Sequence, residues 1–117
     1  MIKVLTGGTF NRLHSGHEHL LKECKKLGYL VVVIANDEHT NKPVPVRAEI
    51  RKRNLEKSGI ADKIIIGHPD SFVKTVLEEK PDVIALGYDQ KLPEDVTEEV
   101  LKKLKIKIIR IEKFGDY

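Results

Sequence analysis

Five short runs rich in Ile, Val and Leu limit the fold of this chain more than any other feature. They cover residues 2–5, 30–34, 63–66, 82–86 and 106–111. Their apolar character is continuous rather than alternating, which is typical of strands buried on both faces of a parallel sheet. Helix-length amphipathic segments separate them, at about residues 17–27, 47–58, 71–79 and 94–104. We predict one α/β domain over residues 1–117, a doubly wound, Rossmann-like five-stranded parallel sheet flanked by helices.

Length and composition favour a soluble, cytoplasmic protein without a membrane partner. No uninterrupted apolar stretch approaches the roughly 20 residues that cross a bilayer, and the N-terminus lacks a signal-peptide pattern. The net charge of +3 suits anionic ligands but is too small to indicate a nucleic-acid partner. The single cysteine, Cys24, shares an apolar stripe with Leu20, Leu21 and Leu27, so we expect a packed core thiol rather than a nucleophile.

Ligands of open parallel sheets bind outside the carboxyl ends of the strands, where the strand order reverses. The loops expected at that edge are residues 6–16, 35–46, 67–70, 87–93 and the segment after 111. In the first of these loops, Gly7 and Gly8 let backbone N–H groups approach a phosphate, and Thr9 adds a hydroxyl. The helix that follows offers its N-terminus to the same anion. The G-x-G-x-x-G and G-x-x-x-x-G-K-[ST] patterns are both missing, which disfavours a dehydrogenase and a P-loop ATPase.

Two histidines of the first loop, His14 and His17, are three residues apart at the start of the predicted helix. Both imidazoles can face one bound phosphate, but the spacing alone equally allows surface histidines that help to cap the helix. A metal site is disfavoured because His17 and His19 point to different sides of a helix and no cysteine or paired carboxylate completes a ligand set. We expect His19 to face solvent.

The stretch "TGGTFNRLHSGHEHLLKECKKLG" resembles the G-T-F-D-x-x-H-x-G-H opening of the cytidylyltransferase-like nucleotidyltransferases. Within that superfamily, "KPDVIALGYDQ" is similar to the archaeal FAD synthases (FMN adenylyltransferases), and glycerol-3-phosphate cytidylyltransferase is a more distant relative. The resemblance implies transfer of AMP from ATP to FMN, giving FAD and pyrophosphate. The alternatives are a cytidylyltransferase that uses CTP and glycerol 3-phosphate or a similar small acceptor, and a non-catalytic nucleotide-binding module.

The resemblance also implies site residues, with Mg²⁺ held mainly by the triphosphate. In the catalytic part, His14 and His17 would stabilise charge that develops on the α-phosphorus, and Lys42 would clamp a phosphate. Relatives often form homodimers, so we expect that this chain can also form a homodimer. The residues implied to bind the nucleotide are Gly8, Thr9, Phe10, Asn11, Arg51, Gly87, Tyr88, Asp89, Gln90 and Lys113.

Two positions depart from the family pattern. Asn11 stands where the motif usually has Asp, which removes a negative charge but keeps a side chain able to form hydrogen bonds. Relatives carry a basic residue after the fifth strand, followed by several Ser or Thr residues and a closing helix. Here "RIEKFGDY" ends the chain, so Lys113 would supply the basic residue and the rest of the family's tail is expected to be missing. Phe72, on the third predicted helix, is expected in the core.

Overall fold

Strands and helices alternate along the chain in the predicted order. The computed structural model describes residues 2–8, 10, 15–36, 47–68, 71–87 and 90–112. The strands pair in parallel in the order β3-β2-β1-β4-β5, which confirms the predicted α/β class. The elements are β1 (Lys3–Gly8), α1 (Ser15–Leu27), β2 (Tyr29–Ile34), α2 (Ala48–Ser58), β3 (Lys63–Ile66), α3 (Phe72–Glu79), β4 (Val83–Leu86), α4 (Glu98–Leu104) and β5 (Lys107–Arg110).

The core has two layers, one on each face of the sheet. Successive residues of a strand point to opposite faces, so Val4 packs with α1 and α2 while Leu5 packs with α3 and α4. Cys24 is fully buried in the first layer, and this burial raises the pKa of its thiol to about 12. The prediction of a packed core thiol is confirmed. None of the described helices is long and apolar enough to span a membrane.

The expectation that all five strands are buried on both faces is wrong for β3 and β5. Both are edge strands with one neighbour each, and Ile108 in β5 is 39% exposed. Lys63 lies in the run of β3, and Lys107 and Arg110 lie in the run of β5, but the central strand β1 also contains Lys3, so these charges did not determine the position of a strand. The predicted helix over 94–104 also begins later, at Glu98, because Thr97 caps it by accepting a hydrogen bond from the Val100 N–H at 3.3 Å.

Two aspartates fix where neighbouring strands begin. The Asp82 carboxylate accepts the Lys3 N–H at 2.8 Å, and the Asp82 N–H donates to the Lys3 carbonyl at 2.8 Å. Asp62 makes the same reciprocal pair with Leu30, at 2.8 and 3.0 Å. These pairs set the register between β1 and β4 and between β2 and β3. The carboxyl ends of the four strands therefore meet at one edge of the sheet.

Candidate active site

A cleft of about 560 Å³ opens at the carboxyl edge of the sheet. The chain runs outward from β1 through β2 to β3 and then returns to β4 on the other side of β1, so the strand order reverses between β1 and β4. The cleft lies where the sequence predicted a ligand, across the ends of β3, β2, β1 and β4. Its lining residues are Gly7, Gly8, Val33, Ile34, Ala35, Asn36, Gly67, His68, Phe72, Ile84, Ala85, Leu86, Gln90, Lys91, Pro93, Glu94 and Asp95.

The two glycines that end β1 leave space on opposite faces of the sheet. A Cβ at Gly8 would come within 2.9 Å of the Phe10 ring, closer than real Cβ atoms approach a neighbour. A Cβ at Gly7 would lie 3.4 Å from the Phe72 ring, an ordinary contact. The Phe10 ring, on the face of the sheet that α1 covers, thus leaves no room for a side chain at position 8. Gly7 borders the Phe72 ring on the face that α3 covers.

His17 lies in the first turn of α1 and contacts Phe10. The two ring centroids are 5.2 Å apart, with an edge-to-face angle of 63°. Phe10 has a φ of 54°, a left-handed conformation that is unfavourable for an aromatic residue and is concentrated at functional sites. The structure therefore brings three predicted site residues together at the end of β1: Gly8, Phe10 and His17.

His19 does not join this group. It is two residues beyond His17, about 200° around the helix, and its side chain lies near Glu23, one turn further along α1. It is half-buried rather than fully solvent-facing. The expectation of a solvent-facing side chain is therefore met only in part, while its separation from His17 is as predicted.

Gln90 connects the loop after β4 to the end of β1. Its side-chain Oε1 accepts the Gly87 N–H at 2.6 Å, and its Nε2 donates to the Gly7 carbonyl at 2.8 Å. Arg110, at the end of β5, donates to the carbonyls of Gly87 and Gln90 at 2.7 and 2.8 Å. The Gln90 amide is thus bonded to the protein's own backbone. Its predicted ligand contact would have to add to or replace these bonds.

Arg51 is fully buried in α2, unlike the other basic residues around it. Arg47 and Arg53 are exposed and Lys52 is half-buried, which agrees with a mainly solvated face for this run. Guanidinium groups are seldom fully buried unless they are paired. Burial therefore separates Arg51 from its neighbours, while the ligand contact that the resemblance implied stays a prediction.

Phe72 is both a core residue and part of the cleft wall. Its half-buried ring packs on the core layer beneath α3, and the ring also lines the cleft below Gly7. Asp95 accepts hydrogen bonds from the Val73 N–H at 3.0 Å and the Ser71 hydroxyl at 2.9 Å. Partial burial alone would raise the pKa of Asp95, but these hydrogen bonds outweigh it and hold that pKa below its usual value. The first turn of α3 is thereby fixed.

Sequence reasoning missed His68, Asp95 and Arg110. His68 follows Gly67 directly after β3, and this position at the carboxyl edge could have marked it; its Nε2 lies 2.8 Å from Glu78 Oε1. Arg110 ends the last strand at the same edge. Asp95 had no local signal, because its partners lie 22 and 24 residues earlier.

Seven predicted site residues lie outside the described residues, and their roles stay predictions: Thr9, Asn11, His14, Lys42, Tyr88, Asp89 and Lys113. Within the part of the chain that the structure describes, no group of three or more His, Cys, Asp or Glu side chains could hold a metal ion. A divalent cation carried by triphosphate oxygens would not need such a group.

Comparison with known proteins identifies similar sequences over nearly the whole chain. A family model described as cytidylyltransferase-like matches residues 5–115. The FAD synthase of Aciduliprofundum boonei is 41% identical, over 99% of this chain and 82% of its own length. The FAD synthase of Thermoplasma volcanium is 45% identical, over 97% of this chain and 84% of its own length.

Solved structures show the same fold. The crystal structure of a lipopolysaccharide core biosynthesis protein from Thermoplasma volcanium GSS1 has a TM-score of 0.89 at 41% identity, covering 98% of this chain and 99% of that one. A pantoate-β-alanine ligase from Francisella tularensis has a TM-score of 0.69 at 16% identity, over 98% of this chain and 60% of that one. The second likeness concerns the fold alone.

Proposed function

The chain belongs to the cytidylyltransferase-like family and is a nucleotidyltransferase, and from this premise we propose that it is an FMN adenylyltransferase. It would join ATP and FMN to give FAD and pyrophosphate. The observation that carries the proposal is the 41–45% identity to two proteins named FAD synthase over 97–99% of this chain. The cleft at the switch point supplies a place for the two substrates to meet.

The proposed reaction is an in-line displacement at the α-phosphorus of ATP. A phosphate oxygen of FMN attacks that phosphorus, the bond from phosphorus to the bridging oxygen of the β-phosphate breaks, and pyrophosphate leaves with the bonding electrons. No covalent bond to the enzyme is required. The protein contributes by positioning the substrates and by stabilising the charge that develops on the phosphoryl oxygens.

His17 is the described side chain best placed for this role. It lies in the first turn of α1, where free backbone N–H groups and the helix dipole favour an anion. Its edge-to-face contact with Phe10 restricts the imidazole, so the ring is oriented before substrate binds. We propose that His17 donates a hydrogen bond to the triphosphate, with His14 and Lys42 as predicted partners.

Mg²⁺ held mainly by the triphosphate would supply neutralisation of charge on the triphosphate and on the leaving pyrophosphate. This arrangement requires donors to phosphate from the protein, and His17 in the first turn of α1 is such a donor. A homodimer and a cytoplasmic location remain parts of the proposal; the mass of the protein in solution tests the first.

The function is tested by incubating the full chain with ATP, Mg²⁺ and FMN and measuring FAD and pyrophosphate separately. Equal amounts of FAD and pyrophosphate are expected. A parallel reaction with CTP and glycerol 3-phosphate provides the contrast. Pyrophosphate release only in that second reaction would replace the proposed acceptor and nucleotide. Binding of ATP in a calorimeter without turnover of any pair would instead indicate a nucleotide-binding module.

A further inference from the structure

The candidate active site has two sides that differ in chemistry. On the α1 side, Gly8, Phe10 and His17 surround a helix N-terminus that suits phosphate. On the α3 side, the apolar walls of the cleft come from Val33 and from the core layer beneath α3. The substrates bring matching parts, because a triphosphate is highly charged while a flavin ring is uncharged and has an apolar dimethylbenzene end.

His68 and Lys91 also line the cleft, but two carboxylates disfavour phosphate at the N-terminus of α3 itself. Glu94 and Asp95 both line the cleft, and Asp95 already accepts the N–H of Val73 in the first turn of α3. Ser71 accepts the Lys74 N–H at 3.3 Å, which completes the cap of this helix. An incoming phosphate would meet a carboxylate at the position where other helix termini attract anions.

The volume of the cleft and its extent across the strand ends favour a long ring system. It crosses the ends of four adjacent strands, three spacings of about 4.8 Å each, or about 14 Å in total. Its volume of about 560 Å³ lies within the range of small-molecule pockets, roughly 300–1,000 Å³. A glycerol phosphate would leave most of the apolar wall in water, and a bicyclic purine is one fused ring shorter than a tricyclic flavin.

Phe72 is the aromatic ring fixed in this wall. It is the first residue of α3, and the hydrogen bonds of Ser71 and Asp95 hold the turn to which it belongs. The missing side chain at Gly7 leaves the backbone above the ring open to the cleft. An aromatic ring held in this way can pack against a planar ligand without first being ordered, which lowers the entropic cost of binding.

From these observations we propose that the α3-side cleft binds the isoalloxazine ring of the acceptor and that Phe72 determines specificity for it. The inference rests on the proposed function, since it assigns FMN to one part of that site. The ring would lie across the strand ends on the α3 side, and the ribityl phosphate would extend past Gly7 toward the α1 side. The triphosphate of ATP would then lie on the α1 side with His17.

The test uses riboflavin, which carries the ring but lacks the phosphate, alongside FMN and ATP. Riboflavin binding is measured by quenching of its fluorescence, and KM for FMN and for ATP is measured by FAD formation. In Phe72→Ala we expect the riboflavin Kd and the KM for FMN to rise about tenfold. The KM for ATP should change less than twofold. Phe72→Tyr, which keeps the flat ring, should restore tight riboflavin binding.

Leu77→Ala is the matched control, because Leu77 lies on the same helix, is 48% exposed and does not line the cleft. It should leave all three constants unchanged. If circular dichroism shows that Phe72→Ala fails to fold, Phe72→Leu replaces it, since leucine fills the core but has no aromatic face. This variant should weaken riboflavin binding severalfold.

The outcomes separate this inference from the proposed function. FAD formation whose KM for FMN is unaffected at Phe72 would overturn the inference and leave the function in place. A rise in KM for ATP alone would assign the cleft to adenine and also overturn it. Riboflavin binding that depends on Phe72, in a protein that makes no FAD, would support the inference while refuting the proposed reaction.

Discussion

Gln90 offers a stringent test of how the site is held together without ligand. Replacing it by Met keeps the length of the side chain but removes both amide hydrogen bonds. The Gly87 N–H then loses the acceptor at 2.6 Å and the Gly7 carbonyl loses the donor at 2.8 Å. The loop after β4 and the end of β1 would no longer be joined by this side chain.

The size of the effect follows from burial. Gly87 is buried, and a buried N–H without a partner costs about 1–3 kcal/mol, while a typical intramolecular hydrogen bond contributes about 1 kcal/mol net. We therefore expect Gln90→Met to lower the free energy of unfolding by about 2–4 kcal/mol. At about 4 °C per kcal/mol for a domain of this size, Tm should fall by about 8–16 °C.

Gln90→Glu provides an intermediate step. A carboxylate can still accept the Gly87 N–H but cannot donate to the Gly7 carbonyl, so about 1–2 kcal/mol should be lost at neutral pH. Lys91→Met, at the neighbouring exposed position, is the control and should change stability by less than about 0.5 kcal/mol.

The assay is urea unfolding and differential scanning calorimetry of the protein without nucleotide. The order of stability should be wild type, then Gln90→Glu, then Gln90→Met. A Gln90→Met protein that melts within about 4 °C of wild type would refute the reasoning. If that protein also bound ATP weakly, the amide would serve the ligand rather than the backbone, as the sequence comparison first implied.

Three further predictions concern catalysis, acid stability and thiol reactivity. His17→Ala should lower kcat by about 10²–10³ through the loss of a preorganised donor, while the circular dichroism spectrum stays unchanged. His19→Ala, on another side of the helix, is the control, and an unaltered kcat in His17→Ala would restrict His17 to helix capping. Hydrogen bonds from Lys25 and the Leu30 N–H lower the pKa of Asp62 below its ordinary 3.8, so the stabilising contribution of Asp62 is complete above about pH 4 and is lost as pH falls through the lowered pKa. In Asp62→Asn, the free energy of unfolding measured in urea should therefore decline less steeply between about pH 4 and 2 than in wild type. The difference should be less than about 1 kcal/mol, because the pair of Asp62 and Lys25 is exposed. The fully buried thiol of Cys24, with a pKa of about 12, should resist iodoacetamide at pH 8 and react only on unfolding, so rapid alkylation of the native protein would contradict its place in the core.

The alternation of strands and helices was predictable because continuous apolar runs and amphipathic segments have different periods. The place of each strand in the sheet was not. Lys63 begins the run that forms the edge strand β3, and Lys107 and Arg110 interrupt the run that forms the edge strand β5, but Lys3 likewise lies in the central strand β1. Which strand has one neighbour depends on the path of the whole chain, and no local pattern records that path.

The candidate site divides in the same way between local and distant signals. Gly8, Phe10 and His17 lie within ten residues of one another, and a loop motif was enough to predict that they lie together. The hydrogen bonds of Arg110 to Gly87 and of Asp95 to Val73 join residues more than 20 positions apart. Such contacts become visible only when the elements are packed.

Phe72 shows why a sequence pattern can be right about packing and still miss a role. Its position in an amphipathic helix predicts a core residue, and half of that prediction holds, because the ring packs on the sheet. Gly7, the next-to-last residue of β1, has no side chain to cover the rest of the ring. Gly8, one residue later, opens the opposite face, where Phe10 contacts His17. The phosphate-binding motif explains Gly8. Gly7 instead leaves part of the Phe72 ring uncovered, and the role proposed for that surface depends on the second substrate, the acceptor.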